Sequence, residues 1–215
     1  MIEATCTQAP HRAPSQPSRG VQSPPPTLDK QPLTRTQVET YITGKPIGSS
    51  GCKGVLLFLT DVFGHRFINA QLLADEFAAH GGFHVLMPDL FAGDSRPPRP
   101  LGSDPPPSAE SINEWLQRHT HAQTRPIVDA VLAQLRAAPQ PLKLVAVGYC
   151  FGAKYVTQLL GEGVLHAGFT AHPSFVLPEE LAAVRAPLSI AAAGLFPPPL
   201  SRAGHPLPQP IGLPG

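Results

Sequence analysis

The segment that most clearly suggests a reactive site is residues 148–152, which read Gly-Tyr-Cys-Phe-Gly and place Cys150 within two flanking glycines. This segment follows the apolar run 142–147 and opens the helical-looking stretch 153–160. A cysteine on a tight strand-to-helix turn matches the nucleophile elbow, which presents a nucleophile to a substrate carbonyl. The pattern predicts Cys150 as a nucleophile. The alternative is a small buried residue, because free cysteine is among the most buried residue types.

The chemistry of such a cysteine needs a thiolate, and the positive end of the following helix favours that charge. Attack on a carbonyl also creates an oxyanion, which backbone N–H groups stabilise. One of these donors is expected to be the residue after the nucleophile, Phe151.

The elements that must position the elbow alternate along the chain. Apolar runs predict strands at 38–42, 55–59, 83–87, 142–147, 167–171 and 187–192. Helices are predicted at 69–80, 108–119, 125–137, 153–160 and 178–184. This alternation indicates an α/β fold with a mostly parallel sheet and helices on both faces. Sites in such sheets form at the carboxyl ends of the strands.

The first helix is predicted from apolar residues at three-to-four spacing, namely Ile68, Leu72, Leu73 and Phe77. The stop is the Gly-Gly pair at 81–82. The helix at 125–137 carries a similar apolar stripe.

Composition limits the function classes. The 215 residues suit one ordinary domain, and a net charge of +1 gives no electrostatic reason to expect nucleic acid or an acidic membrane as partner. The sequence has no run of about 18 apolar residues, so no membrane span is predicted. Three cysteines without C-x-x-C spacing argue against a disulfide framework or zinc site, so we expect no metal, no cofactor and a cytoplasmic location. A nucleotide-binding domain is disfavoured because no glycine-rich phosphate motif follows a strand. No oligomeric state is indicated.

Proline is concentrated at the two ends of the chain. Residues 1–35 are rich in Pro and Ser and are predicted to be a disordered arm, and residues 194–215 a disordered Pro/Gly-rich tail. The predicted globular domain is therefore residues 36–193.

Four segments carry a resemblance to a known family: 59–65 (Leu-Thr-Asp-Val-Phe-Gly-His), 88–91 (Pro-Asp-Leu-Phe), 148–154 and 171–176 (Ala-His-Pro-Ser-Phe-Val). In this order and spacing they resemble the dienelactone hydrolase family, and most of all its fungal-type members, over about residues 36–193. The resemblance implies a compact α/β-hydrolase fold. It also implies hydrolysis of small-molecule esters or lactones by a Cys-Asp-His triad.

The resemblance implies roles for three further residues. The N–H of Val62 would be the second oxyanion donor. Asp61 stands where the family has an acidic residue that contacts the resting thiol; the alternative is a helix-capping or loop aspartate. His172 would line the pocket or serve as a makeshift base, whereas a structural histidine that anchors the His-Pro turn is the alternative.

The rest of the triad is hard to find. No Asp or Glu follows Glu180, and residues 193–197, where the family has an acidic turn, read Ala-Gly-Leu-Phe-Pro. The one later histidine, His205, is flanked by Gly and Pro and is not expected to be a positioned base. We therefore expect an α/β-hydrolase fold that lacks the last strand and closing helix. Its predicted activity is weak ester or lactone hydrolysis, the alternative being an inactive member that binds a small molecule or protein.

Two further expectations concern the loops. Dienelactone-cleaving members carry a carboxylate-gripping arginine after the 88–91 motif, but residues 92–94 here are Ala-Gly-Asp, so an uncharged ester or lactone is expected. Asp89 is predicted to cap its loop. The other histidines are predicted to be solvated, without metal-like pairing: His65, His80, His84, His119 and His121.

Overall fold

The computed structural model of the protein describes residues 38–99, 110–138 and 142–192. Within them, six strands are formed: β1 Thr40–Gly44, β2 Gly54–Leu59, β3 Phe83–Pro88, β4 Leu144–Tyr149, β5 Ala167–Ala171 and β6 Leu188–Ala191. The helices are α1 Ile68–Gly81, α2 Ile112–Arg118, α3 His121–Arg136, α4 Phe151–Gly161 and α5 Pro178–Ala182. The strands form one sheet in the order β1-β3-β2-β4-β5-β6. β1 is antiparallel to β3, and all other neighbours are parallel.

The central strand β2 is covered on both faces. Val55, Leu57 and Leu59 pack into a core with residues of α2, α3 and α4. Leu56 and Phe58 point into a second core with α1. A strand buried on both faces reads as a continuous apolar run, which is why β2 could be recognised from sequence. The predicted α/β architecture, with its mostly parallel sheet and helices on both faces, is confirmed for the described residues.

Helix α1 forms where predicted, but most of the large apolar residues that indicated it do not face the sheet. Ile68 and Leu72 are 59% and 57% exposed. The sheet is contacted instead by the small residues Ala74 and Ala78, which are buried. Phe77 does pack inward, with its ring edge against Phe58. Alanines allow the helix to approach the sheet closely, so the small residues rather than the large ones mark its inner face.

Helix α3 begins four residues before the predicted start at 125, with Pro126 inside it. Proline has no N–H and is most common in the first turn of a helix. Tertiary contacts hold the extra residues: the His121 ring stacks on Tyr155, and its Nε2 lies 3.1 Å from Gln158 Oε1. Helix α2 begins at Ile112 rather than 108, because Ser111 and Glu114 form a capping box there.

The remaining boundaries differ from prediction by a few residues. β1 is shifted two residues toward the C-terminus from the predicted strand; among the described strands it pairs with β3 alone, so it is an edge strand as expected. β5 matches its prediction, and α5 ends at Ala182 rather than 184.

The terminal predictions concern other parts of the chain. The arm at 1–35 and the tail at 194–215, together with any last strand or closing helix beyond β6, lie outside the described residues. In the described part β6 pairs only with β5 and is largely exposed. None of the helices described has the length and apolar character needed to cross a membrane.

Candidate active site

Cys150 is the single residue between the end of β4 and the start of α4. Its φ and ψ are 49° and −108°, a conformation that costs a residue other than glycine about 1–3 kcal/mol. Such strain persists only where the surroundings fix it. The Cys150 N–H donates to Ala171 O at 3.0 Å, and the Cys150 carbonyl accepts from the Ser174 N–H at 3.0 Å. The backbone therefore makes the strained strand-to-helix turn that the elbow pattern predicts.

The two glycines of the elbow are required by close packing. A Cβ on Gly152 would lie 2.2 Å from Leu59 O, the last residue of β2. A Cβ on Gly148 would lie 2.7 Å from both Ala153 Cα and Val156 Cγ2. α4 can therefore pack this close to β2 and β4 only because both positions lack a side chain.

The sulfur is half-buried and contacts a hydroxyl. Cys150 Sγ lies 3.3 Å from Ser174 Oγ, and either atom could be the donor. Ser174 lies within the 171–176 segment, but no sequence pattern assigns it a role. The available signal was topological: β4 and β5 are parallel, with Tyr149 beside Ala171, so residues just after β5 lie next to the elbow.

The loop after β2 is tied to the elbow. The Gly152 N–H donates to Thr60 O at 3.0 Å, and the Arg96 N–H donates to Val62 O at 2.9 Å. Within the described part of the chain, neither the Val62 N–H nor the Phe151 N–H donates a hydrogen bond to another residue. That these two N–H groups bind a developing negative charge stays a prediction.

Asp61 holds the turn of this loop. Its Oδ1 accepts the Phe63 N–H at 2.9 Å, as expected for the loop-aspartate alternative. Burial raises the pKa of Asp61, partly offset by the Phe63 N–H and by the charge of nearby His172. A contact with the resting thiol stays a prediction, since the polar contact made by Cys150 Sγ is with Ser174.

His172 follows β5 with its side chain exposed and a φ of 38°. Its N–H donates to Ala191 O at 2.8 Å, which anchors the His-Pro turn to β6. Its ring centroid lies 6.0 Å from that of Tyr149, the residue before the nucleophile. The backbone contact supports the structural role and the ring position suits the mouth of the site, so both interpretations of His172 remain.

His65 is not solvated, so its predicted surface position is wrong. The side chain is buried, with Nε2 3.2 Å from Glu39 Oε1 and Nδ1 3.6 Å from Asp89 Oδ1. Burial alone would lower the pKa of His65, but the two carboxylates outweigh it and the pKa is raised. These partners are distant in sequence, which is why spacing gave no sign of the cluster. The ring links the segment before β1, the β2 loop and the end of β3.

The same three side chains are a group whose ligand atoms lie within 4.8 Å of one another, as a metal ion would need. The arrangement suits an ion pair better. The two ring nitrogens face different carboxylates, so one ion could not use both contacts. Arg66 already binds both oxygens of Glu39. Asp89 caps its loop as predicted, accepting the Phe91 and Gly93 N–H groups.

The other histidines divide into two groups. His119 is buried against Trp115 and its Nε2 lies 2.9 Å from Asp94 Oδ2, which corrects its predicted surface position. His80 and His121 are exposed as predicted, and His84 is half-buried with Nδ1 near Lys45 O. The residues one helical turn before His119, Trp115 and Leu116, are apolar, and this spacing could have indicated its burial.

Glu180 is engaged elsewhere and is not placed to act with Cys150. Its carboxylate accepts from Lys154 Nζ at 2.8 Å, from Gln158 Nε2 at 2.7 Å and from the Leu177 N–H at 2.8 Å. Burial alone would raise the pKa of Glu180, but these three donors outweigh it and the pKa is lowered. His205 lies outside the described residues.

Comparisons with known proteins show which family the chain resembles. The model of the dienelactone hydrolase family matches residues 39–195. The hydrolase pyvD of Aspergillus violaceofuscus is 44% identical over 164 residues, covering 75% of this chain and 63% of the relative. The hydrolase tropI of Talaromyces stipitatus is 40% identical over 188 residues, covering 82% of this chain and 70% of the relative. The chain thus spans less than two thirds of the length of the first of these relatives.

Among solved structures, one similar fold is the crystal structure of a dienelactone hydrolase-like promiscuous phosphotriesterase from metagenomic libraries. The TM-score is 0.54 at 23% identity, and the match covers 74% of this chain and 64% of that one. At this identity the likeness supports the fold alone.

Proposed function

Because the chain belongs to the dienelactone hydrolase family, we propose that it hydrolyses carboxylic ester or lactone bonds with Cys150 as the nucleophile. The observation that carries the proposal is the backbone of Cys150, which is held at a φ of 49° at the head of α4. Backbone strain of this kind is found mainly at functional sites, where it pre-organises a reactive group.

In the proposed reaction the Cys150 thiolate attacks the carbonyl carbon, a C–S bond forms, and the carbonyl oxygen takes the negative charge. The Val62 and Phe151 N–H groups bind that oxygen, and one such donor is typically worth about 3 kcal/mol in the transition state. The C–O bond then breaks and the alcohol leaves with a proton. Water hydrolyses the thioester, so one ester and one water give one acid and one alcohol.

The surroundings favour an uncharged substrate. Arg96 donates to the carbonyls of Glu110 and Ser111 and is therefore not free to grip a carboxylate. Asp94 is paired with Arg118 and His119. These contacts support the expectation of a neutral ester or lactone rather than an anionic one.

A second candidate, an inactive member that binds a small molecule or protein, is favoured by one observation. Within the described residues, the hydrogen-bond partner of Cys150 Sγ is Ser174, and no histidine makes a hydrogen bond to the sulfur. A missing positioned base typically costs about 10²–10⁴-fold in rate.

The test is hydrolysis of p-nitrophenyl acetate by the protein and by Cys150→Ala, with Cys52→Ala as the matched control, because Cys52 is also a half-buried free cysteine. We expect kcat/KM to fall by about a thousandfold or more for Cys150→Ala and to be unchanged for Cys52→Ala. Equal rates for the protein and Cys150→Ala would end the nucleophile proposal. Calorimetric binding of neutral esters without turnover would then support the second candidate.

A further inference from the structure

The contact between Ser174 and the sulfur has chemical consequences that depend on protonation. Cys150 Sγ and Ser174 Oγ are 3.3 Å apart, and both residues are half-buried. A thiol can donate to the hydroxyl, but a thiolate can only accept, so the hydroxyl must then donate. A hydrogen bond donated to the charged form of a group favours that form.

The serine is held in place from both sides. Its N–H donates to Cys150 O at 3.0 Å, so main-chain and side-chain contacts join the same two residues. The next carbonyl, that of Phe175, accepts from Lys154 Nζ at 3.0 Å. Lys154 belongs to the elbow helix and is itself fixed by Glu180 at 2.8 Å. The hydroxyl is therefore positioned before any substrate arrives.

Backbone strain points to the same residue. His172 and Phe175 have φ values of 38° and 61°, so a strained residue lies on each side of Pro173 and Ser174. Phe175 is 54% exposed, so burial of its side chain does not explain the strain. What the bend achieves is to bring Ser174 against the sulfur.

We propose that Ser174 is a second catalytic residue, whose hydroxyl donates a hydrogen bond to the Cys150 thiolate. Its role in turnover rests on the proposed ester hydrolysis, whereas its effect on the thiolate does not. In the reaction it stabilises the sulfur where it carries charge: before attack, and again when the C–S bond of the thioester breaks and sulfur leaves with the electron pair.

The test is alkylation by iodoacetamide across a range of pH, followed for each cysteine by peptide mass spectrometry. In Ser174→Ala we expect Cys150 to be alkylated about tenfold more slowly near neutral pH, because the thiolate loses a charge-assisted hydrogen bond that favours it. The reaction of Cys52 should be unchanged and serves as the internal control. Cys52 contacts Gly54 O at the start of β2, whereas Cys150 follows the end of the parallel strand β4.

A matched pair guards against a folding effect. Thr and Val have nearly the same shape, but only Thr keeps the hydroxyl, so Ser174→Thr should restore the parent profile and Ser174→Val should behave like Ser174→Ala. Superimposable Cys150 profiles for the parent and Ser174→Ala, or for the Thr and Val variants, would overturn the proposal.

Alkylation needs no ester turnover, so the two proposals fail separately. A hydroxyl-dependent alkylation profile without hydrolysis would refute the proposed function alone. Hydrolysis through Cys150 with no effect of the hydroxyl would refute the role of Ser174 alone.

Discussion

Two loops flank the sulfur, and they are held in different ways. The β2 loop, residues 60–67, is fixed by main-chain bonds and buried groups: Thr60, Gly64 and His65 are buried. The β5 loop, residues 172–177, is half-exposed, and besides main-chain bonds from the His172 and Ser174 N–H groups it depends on side-chain contacts from Lys154 and Glu180. The first loop carries a backbone donor and the second carries a hydroxyl.

The difference shows how each donor is kept in place. A peptide N–H is positioned by the backbone itself, so the β2 loop needs only a fixed main chain, which the Gly152 and Arg96 amides supply. A hydroxyl must be positioned through a side chain, and the β5 loop achieves this with strained backbone at His172 and Phe175. Changes at the β2 loop should therefore cost more than changes at the β5 loop.

The largest effect is expected at the junction of the β2 loop with the elbow. In Gly152→Ala the new Cβ would meet Leu59 O at 2.2 Å, a backbone atom that cannot move aside cheaply. We expect the free energy of unfolding to fall by about 3 kcal/mol or more. Urea unfolding followed by circular dichroism measures this.

The matched control is Gly163→Ala, where the added Cβ meets open space and only the φ of 72° is unfavourable. This change should cost about 1 kcal/mol. Equal losses in the two variants would mean that the packing of α4 on β2 is not what the elbow requires.

The next effect concerns the cluster of His65, Asp89 and Glu39 that holds the β2 loop, which we call the His65 clamp. His65→Gln removes the imidazole ring that faces Asp89 and Glu39 and should cost about 1–3 kcal/mol. The raised pKa of His65 means that its contribution is complete below about pH 6.5 and is lost as pH rises through the folded value. Three donors, with His65 the largest, outweigh burial and lower the pKa of Asp89, so its contribution is lost as pH falls below about 4.

The parent should therefore gain most from this clamp between about pH 4 and 6.5, and the decline above that range should be weaker in His65→Gln. Urea unfolding at several pH values measures it. The control is His80→Gln, an exposed histidine paired with Glu76. A decline in stability above pH 6.5 that is unchanged in His65→Gln would contradict the clamp.

The smallest effect is expected at the β5 loop. Glu180→Gln keeps the side-chain size but removes the charge that fixes Lys154, and should cost about 1 kcal/mol of stability. Because Phe175 O would lose a fixed partner, turnover should fall several-fold with little change in KM. Steady-state kinetics measures this, with Glu179→Gln, a change at the exposed neighbouring residue, as the control. If Glu180→Gln lowers the free energy of unfolding more than His65→Gln does, the prediction that changes at the β2 loop cost more than changes at the β5 loop is wrong.

Much of the fold could be predicted because the sequence signals were local. β2 and β4 are apolar runs covered on both faces of the sheet, and the elbow is a five-residue pattern. The inner face of α1 could not be read from hydrophobicity, because the closest approach to the sheet is made by Ala74 and Ala78. The early start of α3 depends on contacts with α4 that no local pattern encodes.

The candidate site divides in the same way. Cys150, Phe151 and Val62 lie where the motifs and the family resemblance put them, and their catalytic roles stay predictions. The cluster around His65 joins residues 26 and 24 positions apart, and the Ser174 contact crosses 24 positions. Such contacts are created by strand order, so they could be found only once the sheet was known.

The most direct test of Cys150 as the nucleophile is to find which residue takes the acyl group. The protein is mixed with p-nitrophenyl acetate, quenched in acid during turnover and digested for peptide mass spectrometry. The account predicts acetylation of the peptide that contains Cys150, absent in Cys150→Ala. Release of p-nitrophenol at the same rate by both proteins, with Cys150 unmodified, would contradict it.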